Sequence, residues 1–177
     1  MPKFMKGKME LYLAIALLVV VIMGVRFFQS RKEENGSNLE SRKILLEKVE
    51  DDTRIVEETR IKDYIISGFI GQNNTYGIAV FQPKGEKGYK LQSTYTKDQG
   101  EVLMEHLLIG ESYYDIFWFE QADLDYAEVT YTDNAKGETM EPIRLDAKDN
   151  DILYYETPVD DCAVKVVFYD INGNMYE

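Results

Sequence analysis

A stretch free of charged side chains opens at Leu11 and continues through Val25, with Lys3, Lys6 and Lys8 before it and Arg26, Arg31 and Lys32 after it. Nothing else in the chain constrains its organisation as strongly. With Phe27 and Phe28 counted and Arg26 snorkelling, the segment has about 18 residues, which as a helix at ~1.5 Å each span ~27 Å, close to a bilayer's hydrocarbon core. A cleaved leader would need a small-x-small site after the apolar run. Val25-Arg26-Phe27-Phe28-Gln29 is bulky and charged there, and no cysteine follows to accept a lipid. The expectation is an uncleaved transmembrane signal anchor over residues 11–28. Basic residues flank it three against three, so the very short tail of residues 1–10 decides the orientation. The tail is expected in the cytoplasm, with the rest of the chain outside the plasma membrane. Gly7, Glu10 and the apolar run resemble the leader and stem of type IV pilin precursors. In that family, however, the Glu lies within the apolar stretch, whereas Glu10 stands before it.

Beyond the anchor, residues 33–177 hold 31 acidic and 14 basic side chains. A nucleic-acid partner is excluded on this balance, because phosphate binding needs a basic face. From Glu101 onward, 19 acids face only Lys136, Arg144, Lys148 and Lys165, a charge that would also repel anionic lipids and wall polymers. Cys162 is the sole cysteine, so no intramolecular disulfide can form. That usage fits a bacterial envelope, of the Gram-positive kind, better than an animal ectodomain.

Residues 29–58 read as a linker and a juxtamembrane helix. Ser37-Asn38-Leu39-Glu40 has capping-box spacing, and a helix to about Glu50 would place Leu39, Leu45, Leu46 and Val49 on one side. Leu39, Leu46 and Val49 could support weak self-association, although docking on the domain is the simpler use of so short a helix. Over residues 59–177 the period becomes two, as in strands with one buried face. Ala127, Val129 and Tyr131 alternate with Glu128, Thr130 and Thr132; Val164, Val166 and Phe168 flank Lys165; Tyr89, Leu91, Ser93 and Tyr95 alternate with Lys90, Gln92 and Thr94. Ile78, Ala79, Val80 and Phe81 are apolar on both faces, as in a central strand. Residues 102–109 fit either a helix turn or a strand. Trp118 is expected in the core with Tyr114 and Ile116. Gly- and Asn-containing turns at short intervals complete the pattern of an antiparallel β-sandwich, with a barrel as the alternative.

The candidate chemistry is sparse. His106 followed by Cys162 in an anchored β protein of this size resembles the order found in sortases. Val159-Asp160-Asp161 replaces that family's Thr-Leu-x-Thr, however, and no Arg follows Cys162. Asp160 and Asp161 would also disfavour the thiolate that such an enzyme requires. One histidine excludes multi-histidine zinc sites. Ser112, in Gly110-Glu111-Ser112-Tyr113-Tyr114, lacks the second Gly of a nucleophile elbow. Asp146, Asp149 and Asp151, with Asp160 and Asp161, supply oxygen ligands suited to calcium. Asp170-Ile171-Asn172-Gly173-Asn174 begins like an EF-hand loop, but its Gly comes too early, so it reads as a hairpin turn. Tyr113-Tyr114 and Tyr154-Tyr155 put one ring on each face of a strand and offer a binding surface. The expectation is a single-pass, extracytoplasmic, non-enzymatic binding module without a cofactor, serving a protein or wall partner. A carboxylate-dependent glycan hydrolase and a calcium-stabilised adhesion or sensing domain are the alternatives.

Overall fold

The computed structural model describes residues 18–23, 35–72, 75–86, 88–98, 102–118, 123–147 and 152–176. The chain is mainly β, its sheets are antiparallel, and none closes into a barrel. The first sheet is a meander of β1 (Arg54–Ile61), β2 (Tyr64–Ile70), β3 (Thr75–Lys84) and β4 (Gly88–Asp98), in that order. The second pairs β5 (Leu103–Ile109), β6 (Ser112–Trp118) and the later β10 (Ile152–Glu156), with β6 in the middle. In the third, β7 (Leu124–Asp133) lies between β11 (Cys162–Asp170) on one side and β8 (Glu138–Thr139) and β9 (Ile143–Asp146) on the other. The short β12 (Met175–Tyr176) pairs with β11.

Period-two burial stacks these sheets. Ile66 on β2 and Tyr76, Ile78 and Val80 on β3 pack against Leu103 and Leu107 of β5 and Ile116 and Trp118 of β6. The opposite face of the second sheet supplies Phe117 and Leu153, which meet Ala127, Val129, Tyr131 and Phe168 of the third. The second sheet is therefore a middle layer, covered on both sides. Sequence periodicity anticipates a two-faced sandwich; the fold is sandwich-like with one further sheet.

The outer face of the first sheet is covered by the helix Leu39–Leu46, whose fully buried Leu46 packs on Ile65, Phe69, Ala79 and Phe81. Arg42 extends the attachment: its Nε donates to Glu58 Oε1 at 2.8 Å and its Nη1 to the Gly36 carbonyl at 2.9 Å. Ser67 Oγ donates to the same Glu58 oxygen at 2.6 Å. The helix begins one residue later than its expected cap, because Asn38, rather than Ser37, accepts from Ser41 N, and the Ser41 hydroxyl returns the bond. Leu46 therefore belongs to the domain's own core and is not available for self-association, while Leu39 and Val49 are exposed. Strand β1 begins at Arg54, inside the stretch read as linker. Its charged Glu57, Glu58 and Arg60 conceal an edge strand from a search for apolar alternation.

Two β-bulges change which residues share a face. An extra residue, Val56, lies between the pairs Ile55↔Phe69 and Glu57↔Gly68. Gln92 does the same between Ser93↔Val80 and Leu91↔Phe81. A bulge shifts the alternation by one. Tyr95 therefore packs toward the second sheet, while Tyr89 and Leu91 pack beneath the helix. The single face expected for Tyr89, Leu91, Ser93 and Tyr95 is corrected accordingly. Residues 103–109 form a strand with one buried face: Leu103, Leu107 and Ile109 point inward, and Met104 and Leu108 are exposed.

Of the anticipated membrane anchor, residues 18–23 are described and are helical with exposed side chains; the remainder of 11–28 lies outside the described residues. Among the described residues, no helix is long and apolar enough to cross a membrane.

Candidate functional site

Strand β6 alternates Tyr114, Ile116 and Trp118 with Tyr113, Asp115 and Phe117, so one carboxylate is carried into a buried layer. Asp115 is 2 % exposed. His106 on β5 stands directly across from it in the register, and cross-strand neighbours at this spacing touch. His106 Nδ1 lies 2.8 Å from Asp115 Oδ1, and Thr157 Oγ1 donates to Asp115 Oδ2 at 2.9 Å. A carboxylate only accepts, so Nδ1 carries the hydrogen. Tyr113 stacks on the imidazole, with ring centroids 4.8 Å apart and planes 6° from parallel.

This pair forms one wall of an open hollow of about 360 Å³. Met104 extends that wall. The facing wall comes from the third sheet: Asp160 and Asp161 precede β11, and Cys162 and Val164 begin it. Asp161 is held by Asn134, whose Nδ2 donates to Oδ1 at 2.7 Å. The Cys162 thiol is pushed above its ordinary value, first by burial and then by the charges of Asp115, Asp161 and Asp133. Behind the hollow, the Tyr131 side chain is fully buried with its hydroxyl turned toward Asp115. Its phenol is driven far upward, mainly by burial and next by Asp115.

The only cysteine and the only histidine of the chain thus meet in one hollow, with an aspartate behind the imidazole. The arrangement has the members of a Cys-His-Asp set but not its electrostatics. Nucleophilic sulfur must be a thiolate, whereas Cys162 is surrounded by carboxylates and no hydrogen bond joins its sulfur to His106. What the site offers instead is a negatively charged wall, an imidazole of fixed orientation and two exposed apolar side chains, Met104 and Leu108. That combination suits recognition of a cationic group beside an apolar one.

The calcium candidates are divided. Asp160 and Asp161 line the hollow, while Asp146 lies on β9 and accepts from Arg144 Nε at 2.8 Å; Asp149 and Asp151 fall outside the described residues. Among the described residues, no group of three or more His, Cys, Asp or Glu side chains is placed to hold a metal ion. Asp170 is engaged by its own turn: Oδ1 accepts from Asn172 N and Asn174 N, both at 2.8 Å, and Oδ2 from Asn174 Nδ2 at 2.7 Å.

The four tyrosines do not form one surface. Tyr114 is buried against the first sheet, Tyr155 packs toward the third, and Tyr113 and Tyr154 are exposed on opposite faces of the second. Sequence reasoning missed Asp115 and Thr157. The available signal was a charge at the centre of the otherwise apolar and aromatic run from Tyr113 to Trp118. The chain matches no protein-family profile, no curated protein and no solved structure.

Proposed function

We propose that this protein is a single-pass component of a bacterial envelope, of the Gram-positive kind. Residues 11–28 would anchor it in the plasma membrane, and its acidic β domain would bind another envelope protein or a wall component outside, without catalysing a reaction. The observation that carries the binding reading is the state of the hollow. Burial and neighbouring carboxylates push its thiol above the ordinary value, and its imidazole is engaged by Asp115, an environment that supports contact better than nucleophilic chemistry. The charge-free segment after Lys8, flanked by basic residues on both sides, supports the anchor.

Protease added to intact cells, followed by brief crosslinking and mild-detergent recovery of the tagged full-length protein, tests the proposal. Degradation of the β domain by external protease, with a specific partner recovered through it, is the expected result. A domain protected until the cells are opened would overturn the orientation. Normal function from a secreted fragment lacking residues 1–28, at native levels, would overturn the need for an anchor.

A further inference from the structure

Edge strands present unpaired N–H and C=O groups, and proteins usually guard them with bulges, lysines or prolines. The first sheet follows this rule: β1 carries a bulge at Val56, and β4 a bulge at Gln92 with Lys90 and Lys97 along it. Strand β5 does not. It pairs with β6 without a register shift, contains no Pro or Lys, and among the described residues no strand pairs with its other side. Ile109 and Ser112 flank a two-residue loop in which Gly110 takes φ 67°. In such a hairpin the flanking pair exchanges both hydrogen bonds, and every second pair does the same. The backbone groups of Met104, His106 and Leu108 are therefore the ones directed outward. The side chains of these residues also lie on the hollow side of the sheet, with Met104 43 % and Leu108 49 % exposed.

We propose that β5 is a docking edge that accepts an extended, basic segment of a partner protein as an additional strand of the second sheet. The inference rests on the binding-module reading and specifies its surface. Backbone pairing would supply affinity, and alternate side chains of the added strand would supply specificity. Those on the hollow side meet Asp160 and Asp161 beside Met104 and the exposed Leu108 of the same strand face, and among the described residues no Lys or Arg lines the hollow. Lysine or arginine at alternate positions satisfies both the charge and the apolar stems. A second copy of this chain would bring its own acidic wall to the same place, so a basic partner is the occupant favoured by charge.

The test uses the full-length protein in detergent and a fluorescent ten-residue peptide of alternating Lys and Val, with a Glu/Val peptide as control. Expected results are saturable binding of the Lys peptide and slowed amide exchange at Met104, His106 and Leu108. Affinity should fall at least about tenfold in Leu108→Pro and in Asp160→Asn/Asp161→Asn. Proline at 108 removes an outward N–H that β6 does not use, so the hairpin is retained. If that variant melts, Leu108→Lys supplies the guarded edge instead.

Absence of saturable binding at about 1 mM peptide, a Kd far weaker than an interface of this kind should have, would overturn the proposal. So would equal binding of the Glu peptide, or unchanged affinity in both edge variants. A peptide-independent dimer abolished by the edge variants would make a second copy the occupant and overturn the basic-partner assignment. Partner recovery from cells that survives the edge variants would refute the docking edge while leaving the binding-module reading intact.

Discussion

Replacing Gly68 by alanine tests the packing between the first and second sheets at a single atom. The added Cβ would lie 2.8, 3.0 and 3.1 Å from Cζ2, Cε2 and Cη2 of Trp118, where carbon contacts normally settle at ~3.5–4.0 Å. The indole must retreat by somewhat under 1 Å, but it is 1 % exposed and has the Tyr76 ring edge-on at 5.2 Å. Overpacking of this kind costs roughly 1–3 kcal/mol. With a urea m-value of about 1–3 kcal/mol/M, the unfolding midpoint of residues 35–177 should fall by ~1 M at unchanged m. Far-UV circular dichroism measures the transition, and Trp118, the sole tryptophan, reports the same contact by fluorescence. Trp118→Phe removes the ring atoms that clash, so the double variant should be more stable than the sum of the two changes by ~1 kcal/mol. A midpoint within ~0.2 M of the parent, or strict additivity in the cycle, would refute the claim that this contact joins the sheets.

Arg42→Ala should lower stability by about 2 kcal/mol, below the ~3–5 typical of a broken fully buried pair because the Glu58 side chain keeps 24 % exposure. Arg42→Lys should recover little of it in the same denaturation assay, since an ammonium cannot reproduce the fork that reaches both Glu58 oxygens. The Asp170 carboxyl is held below its ordinary value of 3.8, first by the Asn174 side chain; burial opposes this, and the turn backbone N–H groups of Asn174 and Asn172 add to the lowering. A depressed folded value means that its stabilisation is fully present above about pH 4 and lost as the pH falls through the lowered value. Asp170→Asn should therefore differ from the parent at neutral pH and converge with it in acid; parallel stability curves down to about pH 2 would contradict this. Cys162 should react with iodoacetamide at pH 7.5 more slowly than a free cysteine of pKa ~8.5, and faster after Asp161→Asn. A parent rate above that of free cysteine would contradict the thiol assignment and reopen nucleophilic catalysis.

By itself, the sequence determined the class of fold and the faces of several strands. Alternation at Ala127, Val129 and Tyr131, and at Val164, Val166 and Phe168, is a local consequence of the two-residue repeat, and each set faces the core it indicates. The doubly apolar Ile78 to Phe81 likewise marks a strand covered on both sides. Alternation cannot reveal a bulge, because one extra residue inverts the phase without changing composition; only strand pairing showed that Tyr95 and Leu91 serve different cores. Nor can it show that a third sheet covers the second, or that Leu46 is taken up by the domain itself. The candidate site required tertiary structure for the same reason. His106 and Asp115 meet across one hairpin, but Cys162 is distant in sequence, and the chemistry of the three depends on burial and mutual charge, quantities that exist only once two sheets have brought the side chains to a common hollow.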